Sequence, residues 1–564
     1  MFLTINNDII IDRKDGYIII LFIGRKNLMK TKRMLSLLLV FVMSLGLLAG
    51  CGKKTNVEAL PEGTVTLTVG IPQKATVTDY DDNAFTNYLE EQANVEIEFV
   101  YFSSAAAEYK QQLTLMCGAN ETLPDVILGF EFSHYIVNQY GEDGYFIDLT
   151  DYIEEYAPNY KKMIKELDEE TQDYISEKGK NTNTGAYYGM PRVTCQAIDQ
   201  LQSMMYINQN WLNKLGLPMP TTVEELKTTL QAFKTKDPNG NGINDEIPML
   251  GKTGIVNYLI NGYVLYDQNN FNVTDGKVWD PVQTDEFRQA LIFANQLVKD
   301  ELYDKMSFSI SSSSEYKTLI SPTDGPSKVG VFVGHHENMT NPATNALDEF
   351  VALPALSDAT GKGGYTMVTP AGVTWAAYIT KDCAYPAAAM KFLDTWYTDE
   401  TVTRQRHGEK DVDWVYEEKE NAYGTKSYTK AINSEAYFSG NSTWCLNVLG
   451  IMTHWNYLLT ATEGEGRIAQ ASRLQSEQWE IYQTGKRPEE EAVNLVYTNE
   501  EYEIREDKAS TVNSYITTET NYFVSGEKDP SNDGQWNEFL STLKSIGRDE
   551  LMKVCQDAYT RQQK

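Results

Sequence analysis

The chain has 564 residues, 41% of them hydrophobic, and a net charge of −30. That acidity excludes nucleic acid and anionic lipid surfaces as partners. The length exceeds what one hydrophobic core serves, so two or more domains are expected. Six cysteines (Cys51, Cys117, Cys195, Cys383, Cys445 and Cys555) lack the paired spacing of a metal site. The one histidine cluster, His335-His336, is short of the ligands zinc needs.

In chain order, the first signal is residues 29–51, MKTKRMLSLLLVFVMSLGLLAGC. A basic start, a short apolar run and small residues before a cysteine make a secretory signal rather than a membrane span. Cys51 is placed for lipidation, and acyl chains such as palmitate on it and on the new amino terminus hold a protein on a bilayer better than one chain does. An ordinary signal peptide and a single membrane anchor are the alternatives. Residues 1–28 precede this segment, and Met29 is the simpler start. Residues 1–50 are expected to be processed, and 51–63 are polar enough to be a tether.

Thr64–Gly70 predicts a strand, Asn83–Gln92 a helix, Val95–Phe102 an alternating strand, Ala106–Met116 a helix, and the run within Pro124–Phe130 a strand. Strand–helix alternation of this kind predicts an α/β domain with a mostly parallel sheet. Met204–Asn208 reads as a strand and Asn210–Leu215 as the start of a helix. Thr221, Thr222 and Glu224-Glu225 mark the start of the next helix. Val329–Gly334 and Val373–Ile379 read as core strands and Tyr385–Tyr397 as an amphipathic helix. Thr425–Glu519 is long, aromatic and irregular. The expected organisation is two lobes crossed more than once: 64–185 and 346–405 in the first, 186–345 and 406–564 in the second.

The sharpest local pattern runs from Asp237 to Glu246, DPNGNGINDE. Asp237, Asn239, Asn241 and Asp245 supply side-chain oxygens at positions 1, 3, 5 and 9. Gly242 permits the turn at position 6, and Ile243 offers its carbonyl at position 7. This is a calcium loop through its ninth residue. Pro248 occupies the usual place of the bidentate glutamate, and Glu246 is the candidate replacement. A plain Asn/Gly surface turn is the alternative. A single loop of this kind, far from any catalytic constellation, is expected to act as a structural staple.

Flat aromatic faces beside polar groups suit the apolar faces and hydroxyls of sugar rings. Tyr188, Trp211, Trp375, Trp414 and Trp455 are the candidate aromatics, and Gln73, Lys74, Glu131, Arg192 and Asp413 the candidate polar neighbours. Core packing is the competing role for each aromatic. The sequence has no GxSxG, no HExxH and no GxxxxGK[ST], and abundant carboxylates alone do not make a glycosidase. No enzyme is expected.

Four stretches carry a family resemblance: LAGC at 48–51, residues 205–233 beginning MYINQNWLNKLG, the calcium loop through 237–248, and the tail 523–562. KFLDTWYTDE at 391–400 adds to them. Together they resemble the lipid-anchored, carbohydrate-type (family 1) solute-binding proteins of ABC importers, in the large LplA-like branch. The resemblance implies a two-lobed periplasmic-binding-protein-like α/β fold with an interlobe cleft and hinge. It also implies a monomer on the extracellular face of the cell membrane that captures an oligosaccharide or glycoside and delivers it to ABC permease subunits. Nucleotide is handled by other subunits, so none is expected here. Asn208 and Asn210 stand where the family usually has arginine and aspartate, and 406–414 (RHGEKDVDW) where relatives often have a glycine-rich segment. A peptide or lipid-derived solute is the alternative cargo. A surface hydrolase or an adhesion module is a third class.

Overall fold

The computed structural model describes residues 57–563 apart from 76, 168, 182, 195–203, 252, 267–270, 311–312, 335–345, 367–371, 421–425, 432–442, 445–447, 453–472, 475–476, 482–483 and 491–494. Near the amino terminus it describes 3–4, 9–14 and 17–22. The signal segment 29–51 with Cys51, His335-His336 and Trp455 lie outside the described residues. Residues 1–54 form one unit, whose strands Leu3–Thr4, Ile9–Lys14 and Tyr17–Phe22 pair antiparallel. Residues 55–564 form the other unit.

That larger unit is an α/β fold built on two principal sheets. Its strands are β1 Val65–Pro72, β2 Val95–Phe102, β3 Val126–Phe132, β4 Met190–Thr194, β5 Met205–Asn208, β6 Ile247–Leu250, β7 Val329–Val333, β8 Phe350–Ala352, β9 Gly372–Ile379 and β10 Gly450–Met452. The first sheet has the order β10-β4-β9-β3-β1-β2 and the second β8-β5-β7-β6. Each sheet is parallel except for one strand: β9 runs against β3 and β4, and β5 against β7 and β8.

The reversed strands follow from the way the chain crosses. It leaves the first sheet at the carboxyl end of β4 and enters the second at the amino end of β5. It returns from the carboxyl end of β8 to the amino end of β9. It leaves the first sheet again after the carboxyl end of β10, and the C-terminal helices pack on the second core. All three crossings therefore join the edges where the parallel strands end. In open α/β sheets that edge is where ligands bind.

The cores divide in the same way. Leu67–Val193 and Trp375–Ile451 supply one, whose centre holds Phe85, Trp396 and Trp444. Met205–Leu356 and Val512–Leu551 supply another, with the C-terminal helices Asn499–Ser525, Asp533–Ser545 and Arg548–Gln562 packed on the second sheet's side. The crossings differ from the expected boundaries. Met190–Thr194 belongs to the first sheet, so the chain leaves it later than residue 185. Phe350–Ala352 pairs with β5 in the second sheet, and Gly450–Met452 pairs with β4 in the first. Helix Val223–Thr235 begins on a capping box made by Thr222 and Glu225, as its sequence predicts. No described helix is long and apolar enough to cross a membrane. Cys117, Cys383 and Cys555 are free thiols.

Candidate functional site

A cavity of about 390 Å³ opens at the edge where the crossings occur. The first sheet and its helices contribute Glu131, Phe132, His134, Tyr174 and Trp375. The second core's satellite, built around Phe271, Leu495 and Tyr497, contributes those residues together with Tyr502 and Arg505. Both bodies thus furnish its walls, and its volume falls in the range of small-molecule sites. A second cavity, of about 560 Å³, lies beside Trp279, Lys362 and Lys486. All of its lining comes from the second body, so it is not the interlobe site.

Local structure fixes each wall. Glu131 and Phe132 end β3, and Ser133 caps the following helix, His134–Glu142, by accepting from the Ile136 amide at 3.5 Å. Trp375 opposes Phe132 on β9. It is 3% exposed and its ring lies 5.9 Å from that of His134, so it forms a floor rather than a free platform. His134 donates Nε2–H to the Gly179 carbonyl at 2.8 Å, and its burial pushes its pKa below the ordinary imidazole value. The imidazole is therefore neutral at neutral pH. On the opposite wall, Tyr502 stacks on Tyr135 at 5.4 Å and meets Tyr497 edge-on at 5.3 Å. Burial raises the Tyr174 and Tyr502 hydroxyl pKa values, so both rings present neutral O–H groups.

Two charged groups line this space. Glu131 pairs with Arg192 across 2.6 Å. Arg505 lies over the Tyr497 ring at 4.3 Å and donates to its hydroxyl.

Of the sequence-chosen residues, the fold brings Glu131, Arg192 and Trp375 together. Gln73 and Lys74 follow the carboxyl end of β1 on the same edge; the Gln73 amide bonds the Phe102 carbonyl and the Lys74 amide the Tyr80 hydroxyl. Tyr188 is buried with its ring packed against Gly141. Trp211 is 1% exposed and packs edge-on against Phe233 in the second core. Trp414 is fully buried and donates to the Gly408 carbonyl at 2.9 Å, while Asp413 accepts from the Glu409 amide at 2.8 Å. These packing roles keep the two tryptophans and Tyr188 off the cavity wall. Sequence reading missed His134, Tyr174, Tyr497, Tyr502 and Arg505. The available signal was the Tyr497–Thr498–Glu501 run, a helix start with aromatics placed beside it.

The 237–246 loop folds around its own oxygens. Asp237 accepts from the amides of Gly240 and Gly242, Asn239 from that of Asn241, and Asn241 from that of Ile243. Asp237, Gly240 and Gly242 take the left-handed backbone such a curl requires. Asp245 accepts from the Asn239 and Asn241 side-chain amides, and the Lys328 ammonium at 2.8 Å with those bonds holds its carboxyl down to about 2. Both carboxylate oxygens of Glu246 are buried without a hydrogen-bond partner. Burial raises its pKa most, the Asp237 and Asp245 charges add to that, and the backbone N–H groups of Glu246 and Asn239 act against it. A buried carboxylate of this kind beside Asp and Asn oxygens is a donor set that suits a hard cation. Among the described residues, no cluster of three or more His, Cys, Asp or Glu is arranged to hold a metal. The loop draws on Asn and backbone oxygens instead.

Two cored α/β bodies, crossed three times at one edge with a lined cavity there, define a solute-binding protein of the two-lobed type. The family model described as bacterial extracellular solute-binding protein matches residues 74–403, more than half of the chain. The chain belongs to that family of extracytoplasmic, non-catalytic binding proteins. It is 28% identical over 356 residues to the fructooligosaccharide ABC transporter substrate-binding protein FusA of Streptococcus pneumoniae, covering 59% of this chain and 63% of that protein. It is 23% identical over 342 residues to the polygalacturonan/rhamnogalacturonan-binding protein YtcQ of Bacillus subtilis, covering 60% and 64%. These matches thus span less than two thirds of either relative. In fold, the structure of S. pneumoniae FusA with kestose superposes with a TM-score of 0.69 at 21% identity, covering 88% of this chain and 99% of that one. The FusA EF-hand mutant with fructo-nystose gives the same values.

Proposed function

We propose that this chain is the lipid-anchored, substrate-capturing component of an ABC importer and that its cargo is an oligosaccharide or glycoside. The observation that carries this is the cavity at the crossing edge. Aromatic rings from both bodies line it beside an ion pair and neutral tyrosine hydroxyls, the mixture that grips a sugar ring and its hydroxyls. The names of FusA and YtcQ, both saccharide-binding, support the same cargo. Contacts from both bodies favour the closed form by differential binding. Permease subunits would receive that form, while Cys51 carries the lipid.

Calcium fits the 237–246 loop. Asp237, Asn239, Asn241, Asp245 and Glu246 with the Ile243 carbonyl would hold it. The ion would supply the charge that the Glu246 carboxylate lacks and pin the loop beside β6. The family relative studied as an EF-hand mutant supports a loop of this kind. A thermal-shift screen of glycans with a peptide panel alongside tests the cargo. Stabilisation by oligosaccharides is expected, and stabilisation by peptides with no glycan response would overturn the reading.

A further inference from the structure

Resting on that saccharide reading, we propose that the cargo carries a carboxylate, as in a uronic-acid-containing oligosaccharide, and that Arg505 is the residue that reads it. Arg505 lines the cavity, half-buried, nearly two turns into helix Asn499–Ser525. Its guanidinium is held in place on one side, lying over the Tyr497 ring at 4.3 Å and donating Nη1–H to that residue's hydroxyl. No carboxylate among the described residues lies within ion-pair distance of it. The nearest acids on its own helix are otherwise engaged or point elsewhere. Glu501 pairs with Arg561 at 2.6 Å, Glu503 accepts from the Tyr135 hydroxyl at 3.5 Å, and Glu506 is exposed.

The charge balance of the cavity then decides the ligand class. Glu131 is neutralised by Arg192 at 2.6 Å, and His134 is a neutral donor to the Gly179 carbonyl. Among the described residues that line the cavity, Arg505 is the positive charge with no carboxylate in ion-pair distance. When two lobes close and expel water, a half-buried guanidinium without a counter-ion is costly. A neutral sugar hydroxyl does not supply that counter-ion. A carboxylate does, and the Nε/Nη2 edge of a guanidinium is the fork that takes one bidentately. Tyr497 fixes the plane of that fork in advance, which lowers the cost of ordering it. Glu131, already paired through Oε1, keeps Oε2 for a sugar hydroxyl on the opposite wall.

The test uses the full processed protein and pairs of oligosaccharides that differ only at C6, one bearing a carboxylate and the other a hydroxymethyl group, such as oligogalacturonate against oligogalactoside. Calorimetric titration at low and high salt is run on wild type, Arg505→Gln and Arg505→Lys, with melting curves to establish that each variant is folded. The acidic member of at least one pair is expected to bind about tenfold or more tightly, with an affinity that falls as salt rises. Arg505→Gln should abolish that preference and the salt dependence that goes with it, and Arg505→Lys should retain part of both. Binding of neutral sugars alone, or a preference for acid that survives Arg505→Gln, overturns this inference and leaves the saccharide reading standing. Binding of peptides with no saccharide of either kind overturns both.

Discussion

Glu246 offers the sharpest perturbation. Both of its carboxylate oxygens are buried with no partner in close hydrogen-bond geometry, and Asp237 and Asp245 add negative potential that the Glu246 and Asn239 backbone N–H groups partly offset. An unsatisfied buried polar group costs about 1–3 kcal/mol, and more when charged. Glu246→Gln removes the charge at nearly constant volume, so in chelator the variant should be more stable than wild type. At roughly 2–4 °C per kcal/mol for a body of this size, the gain is about 5 °C in melting temperature. With calcium the order reverses. Wild type at a hundredfold excess over its dissociation constant gains about 2.7 kcal/mol, and the variant, short of one anionic ligand, gains less. Differential scanning calorimetry of both proteins, with and without calcium, reads all four values. If the variant melts with wild type in chelator, or if calcium leaves wild type unmoved, Glu246 is not a cation ligand.

Other outcomes follow from particular contacts. Arg548 and Asp280 form a bidentate pair at 2.7 and 2.8 Å with side chains 3% and 7% exposed, tying the last helix to the segment before helix Asp285–Lys299. Arg548→Met should destabilise by roughly 3–5 kcal/mol, because it strands a buried carboxylate; a calorimetric loss under about 1 kcal/mol would refute that. His134 has a folded pKa lowered by burial. Its contribution is therefore present above the unfolded value of 6.5 and lost as pH falls through that value toward the folded one. The melting temperature of wild type should drop more steeply from pH 7 to pH 5 than that of His134→Gln, and parallel profiles would contradict the assignment. Cys51→Ala should abolish metabolic labelling with palmitate and release the protein into the medium, and a variant that stays lipid-labelled rules Cys51 out.

Much of the first body was legible in the sequence because its elements are short and strongly patterned. Val95–Phe102 alternates as read, with Val95 and Ile97 buried and Glu96 and Glu98 exposed. The Thr222–Glu225 capping box marked its helix before any contact was known. The crossings were less legible. β4 and β10 are edge-side strands of five and three residues, too short to carry a period that assigns them to a sheet. Helix Asn499–Ser525 was hidden for another reason. Runs such as TVNSYITTETNY are rich in β-branched and turn-forming residues, and only a narrow stripe of the helix, Val512, Ile516, Thr520, Phe523 and Val524 among it, is buried. The wall formed by Tyr497, Tyr502 and Arg505 was hidden with it.

The tryptophans illustrate why residue type alone does not find a cleft. Asn208 caps the helix Gln209–Leu215 by accepting from the Trp211 amide at 3.0 Å, which turns Trp211 into the second core. The same Asn208 donates to Glu349 at 3.0 Å, so its side chain serves capping and packing. Trp375 differs because β9 runs in reverse and begins at the crossing edge, which delivers its third and fourth residues to the cavity. Strand direction, a property of the whole topology, separated these cases.

The claim on which the rest depends is that a saccharide is held between two bodies that move together around it. Small-angle X-ray scattering of the processed protein, with and without a saturating oligosaccharide identified by the thermal-shift screen, measures this directly. A smaller radius of gyration in the bound sample is expected, with the sugar recovered unaltered. An unchanged radius at full occupancy, or a cleaved glycan, would contradict it.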